Sequence, residues 1–65
     1  MITCNLSEIL GRKKLKVSKL CRETGINRGT ADRLYYDTAQ RVDLDVVETL
    51  CKYLSCSLEE LFTIE

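Results

Sequence analysis

Four cysteines give this 65-residue chain its main capacity for metal and redox chemistry. An even number would indicate disulfides in a small secreted protein, whereas a zinc site usually contains two cysteines separated by about two to four residues. Only one pair comes near that spacing, and two of the four lie on apolar stripes of predicted helices, where a free thiol behaves as a small hydrophobe. We therefore expect buried or half-buried thiols and no metal site, with zinc or a disulfide as the alternatives. The four are Cys4, Cys21, Cys51 and Cys56.

The composition argues against an enzyme. The chain has no histidine, which is the commonest general base and a common metal ligand. A substrate pocket of ~300 Å³ or more would also hollow out a core that is already small. We therefore expect no catalytic residues, no cofactor and no small-molecule substrate.

Length and hydropathy limit the organisation of the chain. A folded chain of this size buries only about 60% of the surface that its unfolded form exposes, so we expect one domain, residues 1–65. No stretch approaches the ~18–20 apolar residues of a membrane span, and the N-terminus lacks the basic and then apolar pattern of a signal peptide. The sequence therefore predicts a cytoplasmic protein with no membrane partner.

Capping residues divide the chain into five predicted helices. Asn5 caps the first helix, Gly25 ends the second, and Asn27 caps the third. Asp43 caps the fourth, and a capping box of Ser57 and Glu60 begins the fifth. The two ends are rich in β-branched residues, and they either pair as short strands or remain irregular. The helices are expected at about 6–14 (cap Asn5 with Glu8), 17–24 (ended by Gly25), 28–36 (cap Asn27), 44–54 (cap Asp43) and 58–62.

The segment VSKLCRETGINRGTADRLYY, residues 17–36, has the pattern of a helix-turn-helix. Two helices that cross steeply over a tight turn need a small residue where they touch, a glycine in the turn and an apolar residue after it. The second helix then needs apolar residues on its inner face. Five residues meet these requirements at once: Cys21, Gly25, Ile26, Ala31 and Leu34.

The sequence resembles the lambda-repressor and Cro class of helix-turn-helix domains, the XRE-like regulators of bacteria and phages. The resemblance rests on LCxxTGINR from Leu20 to Arg28 and on VDLDVVETLCKYLSCSLEELF from Val42 to Phe62, and it covers about residues 6–62. It implies an all-α fold of five helices, with the terminal β pairing as an optional addition. It also implies a sequence-specific transcriptional regulator, of the repressor type, that binds double-stranded DNA as a homodimer.

The resemblance also implies which residues contact DNA. In this family the helix after the glycine turn lies in the major groove, and an arginine there can donate two hydrogen bonds to guanine O6 and N7. Other residues are expected to contact the sugar-phosphate backbone and fix the register. The expected base contacts are Arg28, Gly29, Thr30, Asp32 and Arg33, and the expected backbone contacts are Lys19, Arg22, Asn27 and Tyr36.

Three residues depart from the family pattern. Val17 stands where the family commonly has a phosphate-binding glutamine, and Gly29 lowers the helix propensity of the reading helix. Asp32 places a negative charge on the face that meets DNA, where it either accepts from cytosine N4 or pairs with Arg28 one helical turn away. A rival hypothesis is therefore a protein-interaction module of the same fold, such as an anti-repressor or an antitoxin-like partner. The sequence does not define the dimer surface, for which the candidates are the fifth helix, Phe62, Ile64 and the N-terminal strand.

The charges cancel in sum but not in position. Nine lysines and arginines lie between Arg12 and Arg41 against three acidic residues, a formal charge of +6. The rest of the chain carries Lys52 against seven acidic residues, a formal charge of −6. A net charge of zero therefore does not exclude DNA, because the segment expected to face it is basic and the opposite half is acidic.

Overall fold

The chain folds into the five predicted helices, and its two ends pair as strands. The computed structural model describes all 65 residues. The strands are antiparallel, with Ile2 opposite Ile64 and Cys4 opposite Phe62, so of the two alternatives for the ends the paired one forms. The elements are β1 (Ile2–Cys4), α1 (Leu6–Lys13), α2 (Val17–Thr24), α3 (Arg28–Tyr35), α4 (Leu44–Leu54), α5 (Leu58–Leu61) and β2 (Phe62–Ile64).

A core made mostly of leucine holds these elements together. Every helix contributes at least one almost fully buried leucine, and no polar or charged residue is buried. Complete burial of a leucine side chain is worth about 1.5–3 kcal/mol, so these contacts dominate the stability of so short a chain. The seven largest fully buried side chains are Leu6, Leu10, Leu20, Leu34, Leu50, Leu54 and Leu61.

Two of the predicted caps form as expected. The Asn27 side chain accepts a hydrogen bond from the Gly29 N–H at 2.8 Å. Ser57 and Glu60 form a complete capping box, in which each side chain bonds the backbone N–H of the other residue. These caps begin α3 and α5 where the sequence predicts.

The predicted caps at Asn5 and Asp43 are wrong in their chemistry. Both residues occupy N-cap positions, but neither side chain accepts a hydrogen bond from its helix. The Asn5 side chain instead donates to the Glu60 carbonyl at 3.1 Å and to the Thr63 hydroxyl at 2.8 Å, because the returning C-terminal segment lies beside it. Asp43 is exposed, so water can satisfy the first N–H groups of α4.

All four cysteines are free thiols in this structure. Cys4 is buried on the terminal ribbon, and the other three are half-buried. No group of three or more histidine, cysteine, aspartate or glutamate residues lies close enough to hold a metal ion. None of the helices combines the length and the apolar character that a membrane span needs.

Candidate nucleic-acid interface

The turn between α2 and α3 is closed by backbone and side-chain hydrogen bonds. Gly25 ends α2 in the left-handed conformation with a φ of 79°, and its N–H donates to the Cys21 carbonyl at 2.9 Å. The Thr24 hydroxyl donates to the Leu20 carbonyl at 2.6 Å and accepts from the Ile26 N–H at 3.3 Å. The predicted role of Gly25 is confirmed, and Ile26 is buried directly after it.

The inner face of α3 is apolar and fixes the orientation of its outer face. Ala31 and Leu34 are almost completely buried, and Tyr35 packs half-buried against the same core. Because side chains three and four residues apart share one face of a helix, the polar residues between them must point away from the core. The polar side chains of α3 therefore form one outward surface.

The outward side chains of α3 are bonded to one another in pairs. Arg28 Nε donates to Asp32 Oδ1 at 3.0 Å, which is the helical ion pair that the sequence left as one of two alternatives. This hydrogen bond to the carboxylate raises the pKa of Arg28 above its ordinary value. Arg33 Nη2 lies 3.5 Å from the Thr30 hydroxyl, at the limit of a hydrogen bond. The two arginines are thus held by neighbours on their own helix.

Gly29 lies where a larger residue would crowd the cap. A Cβ atom at this position would lie 3.1 Å from Asn27 Oδ1, the atom that accepts the Gly29 N–H, and 3.6 Å from Arg33 Nη1. A side chain here would have to displace the capping oxygen by a few tenths of an ångström. Glycine at this position therefore keeps the cap intact.

The four residues that are expected to contact the sugar-phosphate backbone of DNA are all exposed, and they lie on or next to α2 and α3. Lys19 and Arg22 lie on α2, Asn27 begins α3, and Tyr36 ends it. The Tyr36 ring meets the Tyr35 ring edge to face, with centroids 5.0 Å apart, so one ring holds the other in place. The expected contacts therefore lie on the two helices of the helix-turn-helix and at their ends.

The positive charge of this surface is almost unpaired. The chain has only two ion pairs, Arg28 with Asp32 and Lys52 with Glu48. Of the nine basic residues between Arg12 and Arg41, only Arg28 has an acidic partner, and four of the nine lie on α2 and α3: Lys19, Arg22, Arg28 and Arg33. Unpaired cations attract a polyanion, and their binding releases its counterions.

Several positioning residues escaped the sequence analysis. Asp37 has a left-handed φ of 58°, and its carboxylate accepts the Cys4 N–H at 2.9 Å, which ties the end of α3 to the terminal ribbon. The Tyr53 hydroxyl donates to Glu23, which ties α4 to α2 and raises the pKa of Tyr53. Among these residues, only Asp37 had a property visible in the sequence that points to its conformation, because aspartate tolerates the left-handed region better than most residues.

A family comparison identifies this arrangement. The model of the Cro/C1-type HTH DNA-binding domain matches residues 5–65. The chain belongs to this family. The predicted resemblance to Cro and repressor domains is thereby confirmed over all five helices and β2, while β1 precedes the matched region. No curated protein matches the chain significantly.

Membership of the Cro/C1-type family makes this protein a DNA-binding regulator in general terms. Domains of this family are typically not enzymes, in line with the composition. In the Cro/C1-type domain, α2 and α3 are the helix-turn-helix, and the second helix of that motif is the one that enters the major groove. The exposed polar surface of α3 is therefore the candidate reading surface.

Proposed function

We propose that this Cro/C1-type domain, residues 1–65, acts as one module: a sequence-specific repressor that binds duplex DNA as a homodimer. The observation that carries the proposal is the outward surface of α3, where polar side chains are arranged before any ligand binds and the surrounding cations lack partners. Preorganised side chains lose less conformational entropy when they meet the edges of bases.

Arg28 and Arg33 are proposed as the principal base contacts. The ion pair engages Arg28 through Nε alone, so its two terminal amino groups remain available to donate to guanine O6 and N7. Asp32 then acts as a positioning residue that orients the guanidinium. Thr30 makes a longer contact, 3.5 Å, to one terminal amino group of Arg33, and the absence of a side chain at Gly29 favours close approach of the helix to the base edges.

Lys19, Arg22, Asn27 and Tyr36 are proposed as contacts to the sugar-phosphate backbone. The two cations are exposed and unpaired, and the first N–H groups of α3 beside Asn27 favour an anion. The Tyr36 hydroxyl can donate to a phosphate oxygen. Such contacts set the register of α3 on the duplex but carry no sequence information themselves.

An apolar groove supports the proposed homodimer. It has a volume of about 500 Å³ and lies between the terminal ribbon, the loop after α3 and the first turns of α4 and α5. Leu44, Leu58 and Ile64 line it and are 84%, 59% and 79% exposed, although leucine and isoleucine are usually buried. This surface includes α5 and β2, which the sequence analysis names as dimer candidates.

Charges at the groove suit a second copy of the chain. Arg41 and Glu59 both line it, both are exposed, and neither has an ion partner within the chain. In a two-fold dimer each surface meets itself, so Arg41 of one copy can pair with Glu59 of the other and the reverse. A single module offers few base contacts, and a dimer that reads two half-sites about one helical turn apart doubles them.

DNA titrations of single variants test the proposal. Fragments selected from genomic DNA, and a random duplex, are titrated by fluorescence polarisation at two salt concentrations. Arg33→Ala is expected to cost about 1–3 kcal/mol on the selected site and to relax base preference. Lys19→Ala is expected to weaken all duplexes alike and to reduce the salt slope by about 1. Lys52→Ala is the matched control, because Lys52 lies in the acidic half and is expected to change neither quantity.

Two outcomes would contradict the proposal. Unchanged affinity after replacement of both Arg28 and Arg33 would remove α3 as the reading helix. Weak binding at both salt concentrations, without salt dependence, would favour the protein-interaction module instead. The repressor role is tested separately with a reporter whose promoter overlaps the selected site, and expression of the reporter is expected to fall when the protein is produced.

A further inference from the structure

The end of α4 has a backbone turn that brings two side chains together. Ser55 follows the helix in the left-handed conformation, with a φ of 53°. Beyond it, the Cys56 N–H returns to the Cys51 carbonyl at 3.1 Å. This is the hydrogen bond of a Schellman motif, in which the residue after the left-handed position contacts the residue one turn back in the helix. Here both of those residues are cysteines.

The two thiols share one half-buried environment. Cys51 and Cys56 both pack against the outside of the leucine core, and neither is fully covered. Burial raises the pKa of the Cys56 thiol, and the neighbouring Cys51 thiol raises it further. Neither of the other two cysteines is part of a helix-ending turn that holds a second cysteine, since Cys4 lies on β1 and Cys21 on α2.

A small basic niche opens beside this pair. It has a volume of about 290 Å³ and is lined by Arg12 and Lys13 from the end of α1 together with Cys56 and Glu60. Neither cation has an acidic partner within 4.0 Å. The niche therefore favours the approach of an anionic reagent to Cys56, and glutathione disulfide, which carries several carboxylates, is such a reagent.

We propose that Cys51 and Cys56 are a redox dithiol that forms an intramolecular disulfide by exchange with glutathione disulfide. The Cys56 thiol, which lines the niche, loses its proton and attacks one sulfur of glutathione disulfide, the disulfide bond of the reagent breaks, and one glutathione leaves and takes up a proton. The Cys51 sulfur then loses its proton and attacks the Cys56 sulfur, which releases the second glutathione. One protein dithiol is oxidised and one glutathione disulfide is reduced to two thiols.

Peptide mapping of the whole chain tests the site. The protein is incubated with glutathione disulfide, remaining thiols are alkylated, and the product is digested with trypsin without reduction. Cleavage after Arg41 and Lys52 separates the two cysteines, so the disulfide is expected as a covalent link between peptides 42–52 and 53–65. A non-reducing gel is expected to show this species at the mass of one chain, which excludes a link between copies.

Matched variants and the glutathione concentration complete the test. Cys21→Ser is expected to keep the link and Cys56→Ser to lose it. Because an intramolecular disulfide releases two glutathione molecules, dilution of total glutathione at a fixed ratio of its two forms is expected to raise the oxidised fraction. Mixed disulfides at separate cysteines, with no dependence on that dilution, would overturn the proposal, as would links that involve Cys4 or Cys21.

Discussion

Asn27 and Asp43 occupy the same position relative to their helices but bond differently. Both precede a helix in non-helical backbone. The Asn27 side chain accepts the Gly29 N–H at 2.8 Å, whereas the Asp43 carboxylate accepts no N–H of α4. The contribution of a capping side chain depends on this hydrogen bond as well as on the identity of the residue.

We predict that Asn27→Ala destabilises the fold more than Asp43→Ala does. Loss of the Asn27 cap leaves an N–H of α3 unsatisfied and is expected to lower the free energy of unfolding by about 1 kcal/mol. Asp43→Ala removes only the interaction of a carboxylate with the helix dipole, about 0.3–1 kcal/mol, which salt screens. Urea denaturation at low and high salt measures both effects. An Asp43→Ala loss that equals or exceeds the Asn27→Ala loss at high salt would contradict this ranking.

At the scale of the elements, two glycines occupy different backbone conformations: Gly11 lies in α1, and Gly25 lies in the turn after α2. Gly25 has a φ of 79°, a conformation that costs a residue with a Cβ about 1–2 kcal/mol. Gly11 lies inside α1, where glycine is less favourable than alanine. A Cβ at either position would meet no atom within 4 Å, so packing does not distinguish the two sites.

We predict opposite signs for the two glycine-to-alanine variants. Gly25→Ala is expected to lower the free energy of unfolding by about 1 kcal/mol through backbone strain alone. Gly11→Ala is expected to raise it by about 0.5–1 kcal/mol, since it improves helix propensity without a clash. Thermal and urea unfolding of the two variants provide the measurement. Stabilisation by both substitutions would mean that the turn tolerates a side chain, and destabilisation by both would mean that α1 gains nothing from alanine at position 11.

The elements also mark how far the sequence could predict the fold. Local rules located the helices, the left-handed Gly25 and the Ser57 capping box, because each depends on residues a few positions apart. Other hydrogen bonds join distant parts of the chain, and no local pattern predicts them. These are the bonds from Asn5 to Glu60 and Thr63 and the bond between Cys4 and Asp37. On α3, hydrophobic periodicity predicted which residues face the core. It could not predict whether Asp32 pairs with Arg28 or accepts from a base, because that depends on where the side chains lie in space.

At the scale of the whole molecule, the two charged halves and the apolar groove act in different ways. The basic segment draws the domain toward a polyanion, and the acidic half, which includes most of α4 and α5, is repelled by it. This separation of charge along the chain is expected to orient the domain before any specific contact forms. The groove lies against the acidic half, at the first turns of α4 and α5, so a second copy can bind there without covering the polar surface of α3.

We predict that Leu58→Glu prevents dimerisation without unfolding the chain. Leu58 is 59% exposed in the monomer and begins α5, where a glutamate interacts favourably with the helix dipole. In the dimer, however, the loss of a buried leucine and the new charge are expected to raise the dissociation constant roughly tenfold or more. Leu44→Glu, at the first position of α4, is a second variant with the same expected result.

Ser7→Glu is the matched control, because Ser7 lies in the first turn of α1, is exposed and does not line the groove. Sedimentation equilibrium is expected to show dimers of the wild type and of Ser7→Glu at concentrations where both leucine variants are monomeric. On DNA, the leucine variants are expected to keep half-site affinity and to lose the additional affinity for a two-half-site fragment, because only the link between the copies is broken. A dimer that persists in both variants would place the interface on another surface, and a wild type that stays monomeric even on the two-half-site fragment would mean that one module binds alone.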